Sequence, residues 1–337
     1  MKKQRGLSLI ELMIALGLGV VVLLAVTVIF ANTSRSRAEM EKSNRQTENG
    51  RYATQLLTNN LRMAGYLAEF DSTVLVPPAA LPDPCATATA DLITALPLHV
   101  QGVNDATVAP SCLSDLKTGT DILVVRRANS CAAGVAGCPA FVEGMPHFQA
   151  SLCTPATGGT ELAYPIASNS DYATHYFSLA TSLVDFNKHK NNCTTAADTY
   201  RYHVHIYFIA NNNQAGDGIP TLKRAELGAG AFAIMPLVEG IENMQIVYGI
   251  DDDGNGTPDN YLAGPASVAA WRNTMTARVH LLARNTEITA GQSDSRIYSL
   301  GLDTDGTEKT VGPFNDAYKR HVYTTTTRFA NPAWRRQ

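Results

Sequence analysis

The stretch Asp251-Asp252-Asp253-Gly254-Asn255-Gly256-Thr257-Pro258-Asp259 brings together a dense set of oxygen donors. Asp251, Asp253 and Asn255 stand at the first, third and fifth positions of an EF-hand-type loop, and Gly256 allows the sharp turn at the sixth. Thr257 would add a backbone carbonyl and Asp259 a direct or water-mediated ligand. A hard cation, Ca2+, suits such a set. Leu262 occupies the position where an EF-hand has its bidentate Glu, so the match is incomplete. Asp, Asn and Gly also build ordinary solvated turns. The loop therefore reads either as a calcium site or as an acidic hairpin turn. Asp303-Thr304-Asp305-Gly306 echoes it and is too short for a site.

His203 and His205 alternate along Tyr202 to Phe208 and project from one strand face, a spacing that binds zinc once a third ligand joins. No Cys or carboxylate stands beside them at metal spacing in the sequence, so an exposed polar strand face is expected. The six cysteines, Cys85, Cys112, Cys131, Cys138, Cys153 and Cys193, allow fifteen pairings. Pairing nearest neighbours (Cys85-Cys112, Cys131-Cys138, Cys153-Cys193) closes the shortest loops and is the expected connectivity. Such disulfides fit an oxidising compartment and would staple a loop-rich region. No Cys-x-x-Cys, Gly-x-Ser-x-Gly, His-Glu-x-x-His or phosphate-cradling Gly loop occurs, so nothing nominates an enzyme.

The remaining chemistry is at the start of the chain. A basic leader, Met1 to Gly6, precedes an apolar run from Leu7 to Ala31 broken by one charge, Glu11. The run is long enough for a helix to cross a hydrocarbon core of about 30 Å. No small-residue cleavage site comes after it, so a cut before the run, between Gly6 and Leu7, is expected instead. That cut frees an amine one helical turn from Glu11. An isolated carboxylate in such a segment is costly and marks a function, here neutralising that amine within one chain or between chains.

The stretch Gly6-Leu7-Ser8-Leu9-Ile10-Glu11 resembles the cleavage and N-methylation signal of type IV prepilins, with Leu7 where many major pilins carry Phe. Leu61-Arg62-Met63-Ala64-Gly65-Tyr66 resembles the segment just after the stalk in PilW-type minor pilins. Pro236 to Gln245, Tyr248-Gly249, Val279 to Arg284 and Arg320 to Thr327 resemble the C-terminal half of that family. The resemblance is dense over residues 1–70 and 232–330 and faint between them. It implies an α+β pilin-like fold, with a long N-terminal helix on an antiparallel sheet. It also implies processing by a prepilin peptidase, N-methylation of Leu7, and partnership with other minor pilins and a major pilin in priming a pilus. A large head suits a tip position, with a tip adhesin as a further expected partner. A GspJ-like pseudopilin of a type II secretion system shares the N-terminus and is the alternative machine. An adhesin or calcium-dependent binding module displayed by the pilus is the alternative class.

Composition agrees with a folded, tethered chain. Of 337 residues, 45% are hydrophobic and 17% charged, enough for a real core. The net charge of −3, with no basic stripe, argues against a nucleic-acid binder. The basic leader should stay cytoplasmic while the remainder crosses. The expected organisation is a leader at 1–6, a membrane and assembly half-helix at 7–31, an amphipathic half-helix at 32–65 and a β-rich head at 66–337. The head would face the periplasm from the bacterial inner membrane, then join the pilus at the cell surface.

Periodicity supplies the elements. Ala53, Leu56, Leu57, Leu61 and Ala64 recur at helical spacing, which predicts one helix from Leu7 to Ala64, mildly interrupted at Gly50. Residues 71–120 read as irregular chain with one short strand, and 128–200 as stapled loops. Strands are predicted at Ile122–Arg126, Tyr202–Phe208, Phe232–Val238, Met244–Ile250, Met275–Arg284 and Val322–Thr327. A short helix is predicted at Val268–Arg272, and a long polar loop over 285–320.

Overall fold

A computed structural model describes residues 8–154, 161–163 and 175–334. The first helix, α1 (Leu9–Arg62), runs unbroken through Gly50. It contains no Pro, and Ser8 caps it in a capping box: the Ser8 N–H donates to the Glu11 carboxylate at 3.0 Å. At the other end Gly65, at φ +72, turns the chain and donates its N–H to the Arg126 carbonyl at 2.9 Å. A left-handed φ of that kind is what glycine tolerates without strain.

Two antiparallel sheets come next, where the sequence predicts one. The first holds β1 (Val100–Ala106), β2 (Thr120–Ala132), β3 (His147–Ala150), β4 (Phe177–Ala180), β5 (Thr199–Ala210), β6 (Thr221–Leu227) and β7 (Phe232–Glu239). Its long central strand, β5, pairs with β2 along one edge and with β3 and then β6 along the other. The second has the order β13-β10-β8-β9, from β8 (Ile241–Ile250), β9 (Asn260–Leu262), β10 (Thr274–Arg284) and β13 (Arg320–Arg328). A hairpin of β11 (Tyr298–Leu302) and β12 (Glu308–Val311) occupies the stretch that reads as loop in the sequence, with Asp303-Thr304-Asp305-Gly306 as its turn. Short helices α2 (Thr89–Ala95), α3 (Val268–Arg272) and α4 (Ala330–Trp334) complete the fold.

The first sheet is covered on both faces. Tyr202, Val204, Ile206 and Phe208 of β5 enter one core with Phe70, Phe148 and Phe177. Tyr207 and Ile209 enter a second core with Ala53, Leu57 and Leu61 of α1 and Val279 and Leu281 of β10. That second core is what seats the stalk on the head. The first core is edged by loops joined through Cys85–Cys112, Cys131–Cys138 and Cys153–Cys193. The expected irregular stretch at 71–120 thus carries α2 as well as β1, and the expected stapled loops also supply β3 and β4.

Candidate functional site

Every residue of α1 from Leu9 to Ala38 is exposed, including Leu12, Ile14, Leu16, Val21, Leu24, Ile29 and Phe30. A helix apolar on all sides needs a cover of lipid or of other helices. Contact with the head begins at Glu39, which accepts from Thr289 Oγ1 at 2.7 Å and Lys319 Nζ at 3.0 Å. Those two hydrogen bonds hold the Glu39 carboxyl down to about 2. Gln46 then donates to the Ala283 and Lys319 carbonyls, and Asn49 to the Glu239 carbonyl. Glu11 projects from the bare part, within the first turn. Gly6 and Leu7, the expected cleavage site, lie outside the described residues.

The Asp251 to Asp259 loop joins β8 to β9, whose register pairs Ile250 with Asn260. It is therefore a hairpin connection, and its carboxylates converge within it. One carboxylate oxygen from each of Asp251, Asp253 and Asp259 lies within 4.8 Å of the others. The buried Asp251 carboxylate accepts the N–H groups of Gly254, Asn255 and Gly256 at 2.8, 3.1 and 3.0 Å. Asp259 accepts from the Asp252 and Asp253 N–H groups. The Asn255 side chain is turned inward on the loop itself, donating to Asp253 and accepting from the Thr257 N–H. Arg328 fixes the far side by donating to the Gly256 carbonyl at 3.0 Å. The donor chemistry fits a hard cation at Asp251, Asp253 and Asp259. Asn255 would have to rotate to join them.

His203 and His205 do not lie on an exposed polar face. His205 is buried and His203 half-buried, because α1 and the second sheet cover this side of β5. Glu226 of β6 stands opposite His205 in register, with its carboxylate against both imidazoles. Burial pushes His205 down to about 4 and lowers His203 as well, so both rings are neutral at pH 7. The carboxylate partner is hidden from the sequence because β6, Thr-Leu-Lys-Arg-Ala-Glu-Leu, carries charges at its centre and lacks a strand's apolar alternation.

Residues 206–331 match the family model of the type IV pilus-assembly protein W, and residues 1–27 match the prokaryotic N-terminal methylation motif. Together these two matches, which cover less than half of the chain, support a PilW-like type IV pilus minor pilin. Comparison with curated proteins returned no match, and neither did comparison with solved structures.

The two matched segments frame the stalk: one supplies its exposed start and the other the strands that carry its lower half. The methylation motif covers the start of α1, and the PilW match contains β10 and β13, on which the lower half of α1 lies. Gln46 bonds a β10 carbonyl, and Thr58 Oγ1 is 3.4 Å from Thr325 Oγ1 of β13. The six cysteines fall outside both matches. The methylation motif and the exposed apolar helix fit a membrane-anchored pilin, and the disulfides join the outer layer of its head.

Proposed function

We propose that this pilin works by assembly and not by catalysis, priming type IV pilus formation with other minor pilins and ending at the pilus tip. The observation that carries this reading is the bare half of α1, apolar on every side from Leu9 to Phe30 with Glu11 as its one charge. Before assembly that surface is lipid-covered in the bacterial inner membrane, with the head in the periplasm. After assembly it is covered by the helices of other minor pilins and the major pilin. A prepilin peptidase cuts between Gly6 and Leu7, the new amine of Leu7 is methylated, and Glu11 supplies its counter-charge across the helix bundle. Intact-mass measurement of the membrane protein should show loss of Met1 to Gly6 and gain of one methyl. Glu11→Ala should still insert, since a carboxylate is removed from lipid, while piliation and co-purification of minor pilins fall. Normal piliation and normal co-purification in Glu11→Ala would overturn the role.

We further propose that the Asp251 to Asp259 loop binds Ca2+ outside the cytoplasm through Asp251, Asp253 and Asp259, joined by Asn255 and the Thr257 carbonyl. The convergence of three carboxylates favours it. Bound calcium would supply charge neutralisation that fixes the β8–β9 connection.

A further inference from the structure

Strands β5 and β6 bring three metal-ligating side chains to one point. His205 and Glu226 are register partners, and His203 lies two residues along β5 on the same face. His203 Nδ1 is 3.1 Å from Glu226 Oε1, and His205 Nε2 is 3.5 Å from the same oxygen. Donor atoms about 2.0–2.1 Å from a tetrahedral zinc ion stand roughly 3.3 Å from one another. The observed separations bracket that edge. One donor atom from each of the three residues lies within 4.8 Å of the other two. We propose that His203, His205 and Glu226 form a binding site for a divalent transition-metal ion, with zinc the best match to two imidazoles and a carboxylate.

The site has the supporting structure a metal centre needs. The His205 side chain is 3% exposed, and its Nε2 is buried with no hydrogen-bond partner among the described residues. A buried ring nitrogen without a partner is costly unless something else occupies its lone pair. His205 Nδ1 lies 2.9 Å from the Asn60 side-chain amide, in the last turn of α1. The Asn60 Oδ1 atom is itself buried without a partner among the described residues. Turning that amide over lets Oδ1 accept from Nδ1–H and leaves the Nε2 lone pair for a metal. An outer hydrogen bond of this kind commonly fixes the tautomer of a ligating histidine. On the other side, Arg224 Nη2 donates to Glu226 Oε2 at 2.8 Å, which leaves Oε1 as the ligating oxygen.

Arginines set the charge of the surroundings. Arg127 faces His203 across the β2–β5 register, and Arg201 precedes it by two residues on β5. Arg127 donates to the Ala128 carbonyl and Arg201 to the Leu227 carbonyl, so both are held in place. Together with Arg224 they oppose a bare cation and favour an ion that takes an anionic fourth ligand, hydroxide, chloride or carboxylate. A cleft of about 330 Å³, lined by His147, Arg201, His203, Glu226 and Met235, gives entry. A metal here would clamp β5 to β6 and, through Asn60, the head to the end of its stalk.

The test uses the full chain in detergent micelles, stripped with a chelator and titrated with Co2+ and then Zn2+. One equivalent of Co2+ should give the visible bands of a tetrahedral nitrogen–oxygen site, and one equivalent of Zn2+ should bleach them. His203→Gln and Glu226→Gln should each lower affinity by about tenfold or more, with metal-free melting retained in His203→Gln, whose side chain is partly exposed. Asp253→Ala, in the separate acidic loop, should bind both metals as the parent does. No saturable uptake, an octahedral spectrum only, undiminished uptake in His203→Gln, or loss of uptake in Asp253→Ala would each overturn the site.

Discussion

Gly50 of α1 lies against the ring of Tyr323 on β13, so near that a Cβ at Gly50 would overlap the ring. The glycine lets the stalk pass close over the second sheet at this point. Ala is normally favoured over Gly inside a helix by about 1 kcal/mol. Here the ring must move to admit it, so Gly50→Ala should forfeit that gain.

Gly50→Leu should go further and destabilise the head by about 1–3 kcal/mol, the usual range for overpacking. Urea unfolding of the full chain in micelles measures this. Tyr323→Ala in the same chain should recover much of the loss, and the double-mutant cycle should show a coupling above about 0.5 kcal/mol. Additive effects would mean that the two residues do not press on each other.

A second prediction concerns Arg320, which ties β13 to β8 and to the loop before β11. Its guanidinium is buried, meeting Asp316 through two bonds at 2.6 and 2.7 Å and Asp294 at 3.1 Å, with Glu242 on its Nε. Burial pushes Glu242 and Asp294 up, but their hydrogen bonds and neighbouring cations outweigh it and leave both below their ordinary values. Arg320 holds Asp316 low in the same way. Carboxyls lowered on folding contribute stability above their unfolded values, about 3.9 for Asp and 4.3 for Glu, and lose it as pH falls. Melting temperature should therefore drop between pH 5 and pH 3. Arg320→Met should cost about 3–5 kcal/mol at pH 7, because it strands buried carboxylates, and should flatten the acid dependence.

Legibility in the sequence tracks the strength of local pattern. The stalk is readable because Ala53, Leu57 and Leu61 repeat at helical spacing, and β5, β8, β10 and β13 because they are long and β-branched. Strands β3 and β4, four residues each, give too little alternation to register. The hairpin β11–β12 is hidden by its polar residues and by a turn that resembles a loop. The division into two sheets depends on which strands pair across long separations, which periodicity does not encode. The acidic loop is visible because its ligands are contiguous, whereas the partner of His203 and His205 sits on another strand.

The disulfides should differ in worth. Cys153–Cys193 spans 40 residues and Cys131–Cys138 spans 7. In the chain-entropy picture, that difference makes the longer bridge more stabilising by about 1.5 kcal/mol. Paired Cys→Ser variants, compared by urea unfolding, should show Cys153/Cys193 as the more damaging loss. Non-reducing peptide mapping of the parent should find all six cysteines paired, with no link from Cys112 to Cys131.

The final prediction concerns calcium and the Asp251 to Asp259 loop. Leu262 stands where an EF-hand places a bidentate Glu, and in the fold it lies on β9 with its side chain exposed. With that ligand missing, affinity should be weak, about 10⁻⁴–10⁻³ M, the range of extracellular modules. At calcium a few times Kd the gain in stability is then about 1 kcal/mol. Asp251 already accepts three backbone N–H groups, so replacing it would break the turn as well as the site. Asp253 is the cleaner probe, since its carboxylate is exposed and, among the described residues, bonds only to Asn255. Melting of the chelator-stripped full chain should rise with millimolar calcium and less with magnesium, and Asp253→Ala should abolish the rise while melting near the parent without calcium. If calcium leaves the parent unmoved, the loop is a hydrogen-bonded acidic turn whose carboxylates are satisfied by its own backbone.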